Sequence, residues 1–92
     1  MMDYLLKQEN TDLIIEQEKT RIKKEIIGQY ISLRKERKLS QEDIAGTTGI
    51  ARSNIARIES GKNVPTIEVL TKLAFALNMD LEIKFVEKQQ EL

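Results

Sequence analysis

The spacing of apolar residues along the chain predicts helices over most of its length. In the first third of the chain, apolar positions recur at three- and four-residue intervals, and Ile26, Tyr30 and Leu33 form a stripe. This helix should run to about Arg37. The polar stretch Glu16–Arg21 contains no apolar residue, so it is either a helix exposed on all sides or a joint.

Capping residues mark the ends of three further helices. Ser40 and Asp43 form a capping box, Gly49 suits a left-handed helix end, and Thr66 after a proline suits a helix start. These signals predict helices at Gln41–Thr48, Arg52–Ser60 and Ile67–Leu77.

The last element has a different period. Apolar residues alternate with polar ones, which predicts a strand over Leu81–Val86. No second strand is predicted, so this one must pair with another molecule, and we favour the same strand of a second copy. An antiparallel pair centred on Ile83 sets opposite charges against each other, so Leu81, Ile83 and Phe85 are expected at a dimer interface.

Composition narrows the class of protein. Ninety-two residues allow one small domain with an appended arm, and 40% hydrophobic residues suffice for a core. The chain contains no Cys and no His, which removes disulfides, thiol nucleophiles, imidazole bases and the usual zinc ligands. It also lacks a signal-peptide pattern and any apolar run as long as a membrane span. We expect a cytoplasmic protein that is not an enzyme, with no metal, no cofactor and no membrane association.

Net charge is zero, but the charges are unevenly distributed. Residues 1–18 carry one lysine against five acids, a net charge of −4. Residues 19–62 carry eleven bases against five acids, or +6, and residues 63–92 carry three bases against five acids, or −2. A basic middle between acidic ends favours a core that faces a polyanion, with arms that face something else.

Two short helices joined by a glycine-containing turn form a helix-turn-helix, a pattern that ordinary helical hairpins also produce. Residues 34–81 resemble the phage-repressor (Cro/XRE-type) helix-turn-helix family through "LSQEDIA", "TTGIARSNIARIESGK" and "VPTIEVLTKLAFALNMDL". The resemblance implies a five-helix bundle that binds operator DNA as a two-fold dimer. One departure is Ala51, at a helix cap where the family usually has Ser or Thr.

The expected fold is therefore all-α: a five-helix, phage-repressor-like bundle with an N-terminal helical arm and a short C-terminal β-strand. We expect the arm at residues 1–20, the helix-turn-helix domain at 21–80, and the strand and tail at 81–92.

The resemblance also assigns DNA contacts on a palindromic operator. Arginine and asparagine are the side chains that bind guanine and adenine edges, and the base-reading residues are expected to be Arg52, Ser53, Asn54 and Arg57. The alternative for Arg57 is a surface salt bridge. The phosphate contacts are expected to be Gln41, Lys62, Asn63 and Arg34. Arg34 and Glu59 also match a family pair, and we place their structural salt bridge first.

The ends of the chain favour a particular kind of regulator. "NMDLEIKFV" resembles HigA-type antitoxins, which are compact repressors that bind a RelE-like ribonuclease toxin and their own promoter. An acidic arm suits a basic toxin, and the expected toxin-binding residues are Tyr4, Leu5, Leu6, Leu13, Ile14 and Ile15. The alternative is that the arm packs on its own bundle or frays.

Three classes thus compete: an antitoxin that represses its own operon, a plain phage-type or metabolic repressor without a toxin, and an interaction module without a DNA role. We favour the first.

Overall fold

A computed structural model of the chain describes the backbone of residues 2–88 and the side chains of residues 10–88. Four α-helices follow one another in this part: α1 Met2–Glu36, α2 Gln41–Thr48, α3 Arg52–Glu59 and α4 Ile67–Ala76. The second half of α1 packs with the three short helices. Its first half extends beyond them, so the molecule is 54 Å long and only 29 by 19 Å across.

The core lies where the four helices meet. Among the described side chains, Ile44 of α2 and Ile55 of α3 are the most deeply buried, at 0% and 1% exposed. Burying an isoleucine of this size contributes about 2 kcal/mol. The remaining buried apolar side chains are Ile27, Tyr30, Ile58, Leu73 and Leu77. The core is therefore aliphatic except for Tyr30, and it holds α2 and α3 together.

The capping signals around α2 are confirmed. The Ser40 hydroxyl accepts a hydrogen bond from the Asp43 amide at 3.0 Å, and the Asp43 carboxylate accepts one from the Ser40 amide at 2.8 Å. Gly49 ends α2 at φ 76°, and its amide donates to the Ala45 carbonyl at 2.9 Å. Three residues separate α2 from α3, and the last of them, Ala51, provides no side-chain cap for α3.

The polar stretch in α1 is helical and exposed on all sides. Ion pairs one turn apart stabilise it: Lys19 lies 3.1 Å from Glu16, and Arg21 lies 2.8 Å from Glu18 and 3.0 Å from Glu25. The hydrogen bond from Arg21 holds the pKa of Glu18 below its usual value. Such pairs allow a helix to continue where it has no core to pack against.

The expected count of five helices is wrong for residues 2–88. The arm and the first helix of the bundle are a single helix, and residues 79–88 form no further helix. Side chains 10–22 are exposed, and packing against the bundle begins at Lys23. The boundary expected after residue 20 lies close to the point where α1 starts to pack, and the helix passes through it unbroken.

The strand predicted at Leu81–Val86 is also wrong for a single chain. Residues 79–88 have no regular secondary structure, and no strand occurs anywhere in residues 2–88. A strand requires a neighbour that completes its ladder of backbone hydrogen bonds, and the described chain provides none. Leu81 is partly buried, whereas Ile83 and Phe85 are exposed.

Candidate nucleic-acid interface

The exposed face of α3 carries the polar side chains that the sequence singles out. Ile55 and Ile58 point into the core, at 1% and 5% exposed. The other side of the helix is open to solvent and presents Arg52, Ser53, Asn54, Ala56 and Arg57. The structure thus brings all four expected base-reading side chains onto one exposed helix, with a small residue among them.

Glu59, the last residue of α3, connects this helix to α1 and α2. Its carboxylate accepts hydrogen bonds from Arg34 Nη2 at 2.7 Å and from Arg34 Nε at 2.9 Å. The Tyr30 hydroxyl donates to it at 3.1 Å, and the Gln41 amide donates at 3.3 Å. The hydrogen bond to Glu59 raises the pKa of Arg34, while burial, reinforced by the Glu59 carboxylate, raises the pKa of Tyr30. Two other helices, α1 and α2, therefore fix the end of α3.

Arg34 and Gln41 were expected to contact phosphate, and the structure places both beside Glu59. Arg34 Nη1 also donates to the Leu39 carbonyl at 2.9 Å, so all three of its nitrogens have partners within the protein. Gln41 is partly buried at the start of α2. In the free protein both side chains therefore brace the helix-turn-helix.

Lys62 and Asn63 lie in the loop that follows α3. Their backbone amides donate to the Arg57 carbonyl at 2.9 and 3.3 Å, which folds the loop back onto the helix end. The Lys62 side chain is exposed, and Asn63 is partly buried. The exposed side chain of Lys62 is thereby held close to the C-terminal end of α3.

Two positioning residues were not predicted from the sequence. The Lys23 ammonium donates to the Gly61 carbonyl at 3.2 Å and so ties α1 to the loop after α3. Tyr30 was expected only as an apolar core residue, and its bond to Glu59 was missed. Since a tyrosine buried in a core usually needs a partner for its hydroxyl, that requirement was the available signal.

Apart from Leu81, which is partly buried, the residues expected to bind partner proteins are exposed or lie outside the described side chains. Leu13, Ile14 and Ile15 of α1 are each more than half exposed, and so are Ile83 and Phe85 near the C-terminus. The side chains of Tyr4, Leu5 and Leu6 lie outside the described ones. Within the described helices, none is long and apolar enough to cross a membrane.

Comparison with known proteins agrees with this geometry. A family model described as helix-turn-helix matches residues 31–84, and the chain belongs to that family. The chain is also similar to the ImmF control region 10 kDa protein of Bacillus phage phi105, at 34% identity over 50 residues. The matched region covers 54% of this chain and 56% of the phage protein, so the chain spans little more than half of that relative's length. No solved structure matches the chain significantly.

Membership of the helix-turn-helix family and similarity to a phage control-region protein together support DNA-binding transcription regulation. In such proteins the second helix of the motif enters the major groove, and here that helix is α3.

Proposed function

We propose that this chain is a sequence-specific DNA-binding repressor that acts in the cytoplasm on the operator of its own operon. The observation that carries the proposal is the exposed face of α3, with Arg52, Ser53, Asn54 and Arg57 pointing away from the core. Arginine binds guanine through two parallel hydrogen bonds, and asparagine does the same for adenine. A face without a reading role needs no such side chains.

In this proposal phosphates are held on both sides of α3. Lys62 and Asn63 contact the backbone beyond the end of the reading helix. Gln41 lies at the start of α2, and Arg34 lies on α1. Both donate hydrogen bonds to Glu59, and these bonds set the angle of α3. Their role toward phosphate is thus secondary to their role in orienting the helix.

The experiment is a gel-shift titration with the DNA immediately upstream of the coding sequence. Arg52→Ala and Asn54→Ala should each weaken specific binding by about 1–3 kcal/mol and relax the preference at one base position. Lys72→Ala, which removes an exposed charge from α4, is the matched control and should bind like the parent. Unchanged operator affinity in both α3 variants contradicts the reading-helix assignment.

A palindromic operator requires a two-fold dimer. Two apolar surfaces are available to form it. One is the C-terminal set Leu81, Ile83 and Phe85 of the strand hypothesis, in which Leu81 is partly buried and the other two are exposed, and the other is the exposed stretch 10–22 of α1. In the first case the C-terminal segments of two copies pair as an antiparallel ribbon with Ile83 on the axis.

The second candidate function is that of a HigA-type antitoxin, which adds a basic RelE-like ribonuclease toxin as a partner. The favouring observation is the arm, an acidic helix whose Leu13 and Ile14 are exposed without a protein partner in the described chain. In this version the arm residues Tyr4, Leu5, Leu6, Leu13, Ile14 and Ile15 bind the toxin. Without a toxin partner, the protein is a plain repressor.

Co-expression with the product of an adjacent gene that encodes a small basic protein tests the antitoxin version. The full chain should rescue growth, and a chain lacking residues 1–18 should not. Leu13→Asp should also lose rescue, while Gln17→Asp, on a polar position of the same helix, should keep it. Rescue by the shortened chain refutes toxin binding by the arm.

A further inference from the structure

The exposed stretch 10–22 of α1 carries apolar side chains that neither the core nor the proposed base contacts use, and two of them form a pair. Ile15 and Ile22 are seven residues apart and therefore lie on the same face of the helix, and both are about half exposed. Residues at this interval occupy equivalent positions of a heptad, so both can contact a second helix that lies alongside. Their face lies about a quarter turn from the one through which Tyr30 and Arg34 meet the bundle.

Ion pairs border this face on both sides. Lys19 lies 3.1 Å from Glu16 along one border, and Arg21 lies 2.8 Å from Glu18 along the other. Beside residues 18 and 19 each border thus shows an acid followed by a base, and Arg21 also lies 3.0 Å from Glu25 one turn farther along the helix. An exposed apolar pair flanked in this way has the layout of a helix–helix seam.

We propose that the chain forms a homodimer in which two copies of α1 pack antiparallel through Ile15 and Ile22, with the two-fold axis between Glu18 and Lys19. In this register Ile15 of each copy lies against Ile22 of the other. This is a different dimer from the ribbon through the C-terminal segment.

The charges favour the antiparallel direction. From residue 10 to residue 18 the charged side chains are Asp12, Glu16 and Glu18, a net charge of −3, and from residue 19 to residue 27, which face them in this register, they are Lys19, Arg21, Lys23, Lys24 and Glu25, a net charge of +3. An antiparallel pair sets the acidic half of each helix against the basic half of the other, whereas a parallel pair sets like against like.

On one border of the seam, Glu16 and Lys19 form a ring of four alternating charges with their symmetry mates. On the other border, Glu18 and Arg21 do the same.

A groove beside the seam has room for side chains of the second helix. It has a volume of about 320 Å³ and lies between α1 and the segment leading into α4. Its apolar lining is Ile22, Ile26, Val64, Pro65 and Leu70. In the proposed register the stretch of the second copy around its Ile15 lies over this groove, so the second copy covers apolar surface that is open in the single chain.

The geometry of this dimer fits DNA, and this step rests on the proposed function. Tyr30 marks the centre of the bundle along α1 and lies about 17 Å from the axis at a rise of roughly 1.5 Å per residue. The two bundles are then about 34 Å apart along α1, which is one turn of B-DNA and the spacing of half-sites in helix-turn-helix dimers. Because the bundle attaches about a quarter turn from the seam, the two-fold axis places both bundles on the same side.

A complementary charge exchange tests the pairing. One variant, Glu16→Lys with Glu18→Lys, makes both borders basic, and another, Lys19→Glu with Arg21→Glu, makes both acidic. Analytical ultracentrifugation should show each variant weakened in self-association by at least about tenfold, and an equimolar mixture restored to a dimer. The matched control, Gln17→Glu with Lys24→Glu, changes charge on the opposite face of α1 and should remain dimeric.

Circular dichroism separates loss of pairing from loss of folding, because the altered residues lie outside the core. A folded variant that stays dimeric on its own overturns the seam.

Cysteine cross-linking fixes the register, since the chain has no cysteine of its own. A mixture of Ile15→Cys and Ile22→Cys chains should form a disulfide under mild oxidation. Each variant alone should not, because two equivalent positions are about 10 Å apart along the seam, beyond the reach of a disulfide. If Ile83→Cys chains cross-link efficiently on their own, and the mixture of Ile15→Cys and Ile22→Cys chains does not, the dimer forms through the C-terminal ribbon and the seam is refuted.

The DNA assay keeps the two proposals separate. If the exchanged variants are monomeric and bind the operator weakly, and the mixture binds like the parent, both proposals stand. Parent-like DNA binding with no pairing through α1 overturns the seam alone. If the protein dimerises through α1 but does not bind the operator, the repressor function is overturned and the seam stands.

Discussion

The guanidinium of Arg34 donates two hydrogen bonds to the carboxylate of Glu59, from Nη2 at 2.7 Å and from Nε at 2.9 Å. The two side chains are only 11% and 8% exposed, although the residues are 25 positions apart in sequence. The pair joins the middle of α1 to the last residue of α3. The orientation of α3 therefore depends on a polar contact at the edge of the apolar core.

Removing Glu59 should destabilise the protein far more than removing an exposed carboxylate. Glu59→Ala leaves the charge of Arg34 nearly buried without its partner and also removes the acceptor of Tyr30. The free energy of unfolding should fall by about 3 kcal/mol, as measured by urea denaturation. Glu68→Ala breaks an exposed pair with Lys72 and should cost no more than about 0.5 kcal/mol. Equal losses in the two variants are incompatible with a bracing role for Glu59.

Two neighbouring glycines should respond to alanine with opposite signs. Gly46 lies within α2, and a Cβ there meets nothing within 4 Å, so Gly46→Ala should stabilise by about 0.5–1 kcal/mol. Gly49 has the same free space but a φ of 76°, so Gly49→Ala should destabilise by about 1 kcal/mol. Thermal unfolding of the two variants side by side checks this. Because neither substitution creates a clash, the difference isolates the backbone conformation of the turn.

The capping box should make stability depend on pH in the acid range. The hydrogen bond that the Ser40 amide donates to the Asp43 carboxylate is the main cause that lowers the pKa of Asp43 in the folded protein, and the Ser40 side chain lowers this pKa further. The unfolded chain then binds the proton more readily. The contribution to stability is therefore present above the unfolded pKa of about 4 and is lost as the pH falls through the lower folded value.

Asp43→Asn should flatten this dependence in urea titrations below about pH 4. The control Glu42→Gln removes a neighbouring exposed carboxylate and should keep a slope closer to that of the parent. A parent-like slope in Asp43→Asn means that another group sets the acid response.

Lys62 should contribute to affinity for DNA and leave sequence preference alone. Lys62→Ala removes an exposed charge in the loop after α3, so binding should weaken equally for operator and unrelated DNA. The slope of log affinity against log salt should fall by roughly one unit. Fluorescence anisotropy at several salt concentrations measures both effects. A loss confined to the operator assigns Lys62 to a base and removes it from the phosphate contacts.

Local signals predicted the helix-turn-helix well. Ser40, Gly49 and Thr66 act through bonds to residues within a few positions of themselves, so their effect is visible in the sequence. Ile55 and Ile58 followed from helical spacing. The ends of α3 and α4 differ from the predicted ones by a single residue.

Features that depend on distant parts of the chain were predicted less well. Tyr30 and Glu59 are 29 residues apart, and only tertiary packing brings the hydroxyl to the carboxylate. The bond between Lys23 and the Gly61 carbonyl spans 38 residues and has no local signal. The prediction of a strand at Leu81–Val86 was wrong for a related reason. An alternation of apolar and polar residues can be seen in one segment, but a sheet forms only when two segments pair.

Because α1 is one continuous helix, the direction in which each side chain of its first half points is fixed relative to α3. Each residue inserted into the exposed stretch around Glu18 turns everything N-terminal to it by about 100° relative to α3 and lengthens the rod by about 1.5 Å. One added residue points Ile15 away from the direction that Ile22 faces, whereas seven added residues restore the direction and lengthen the rod by about 10 Å. The length of this arm can therefore change, without loss of its alignment to α3, only by numbers of residues that come close to whole turns of the helix, such as seven or eleven.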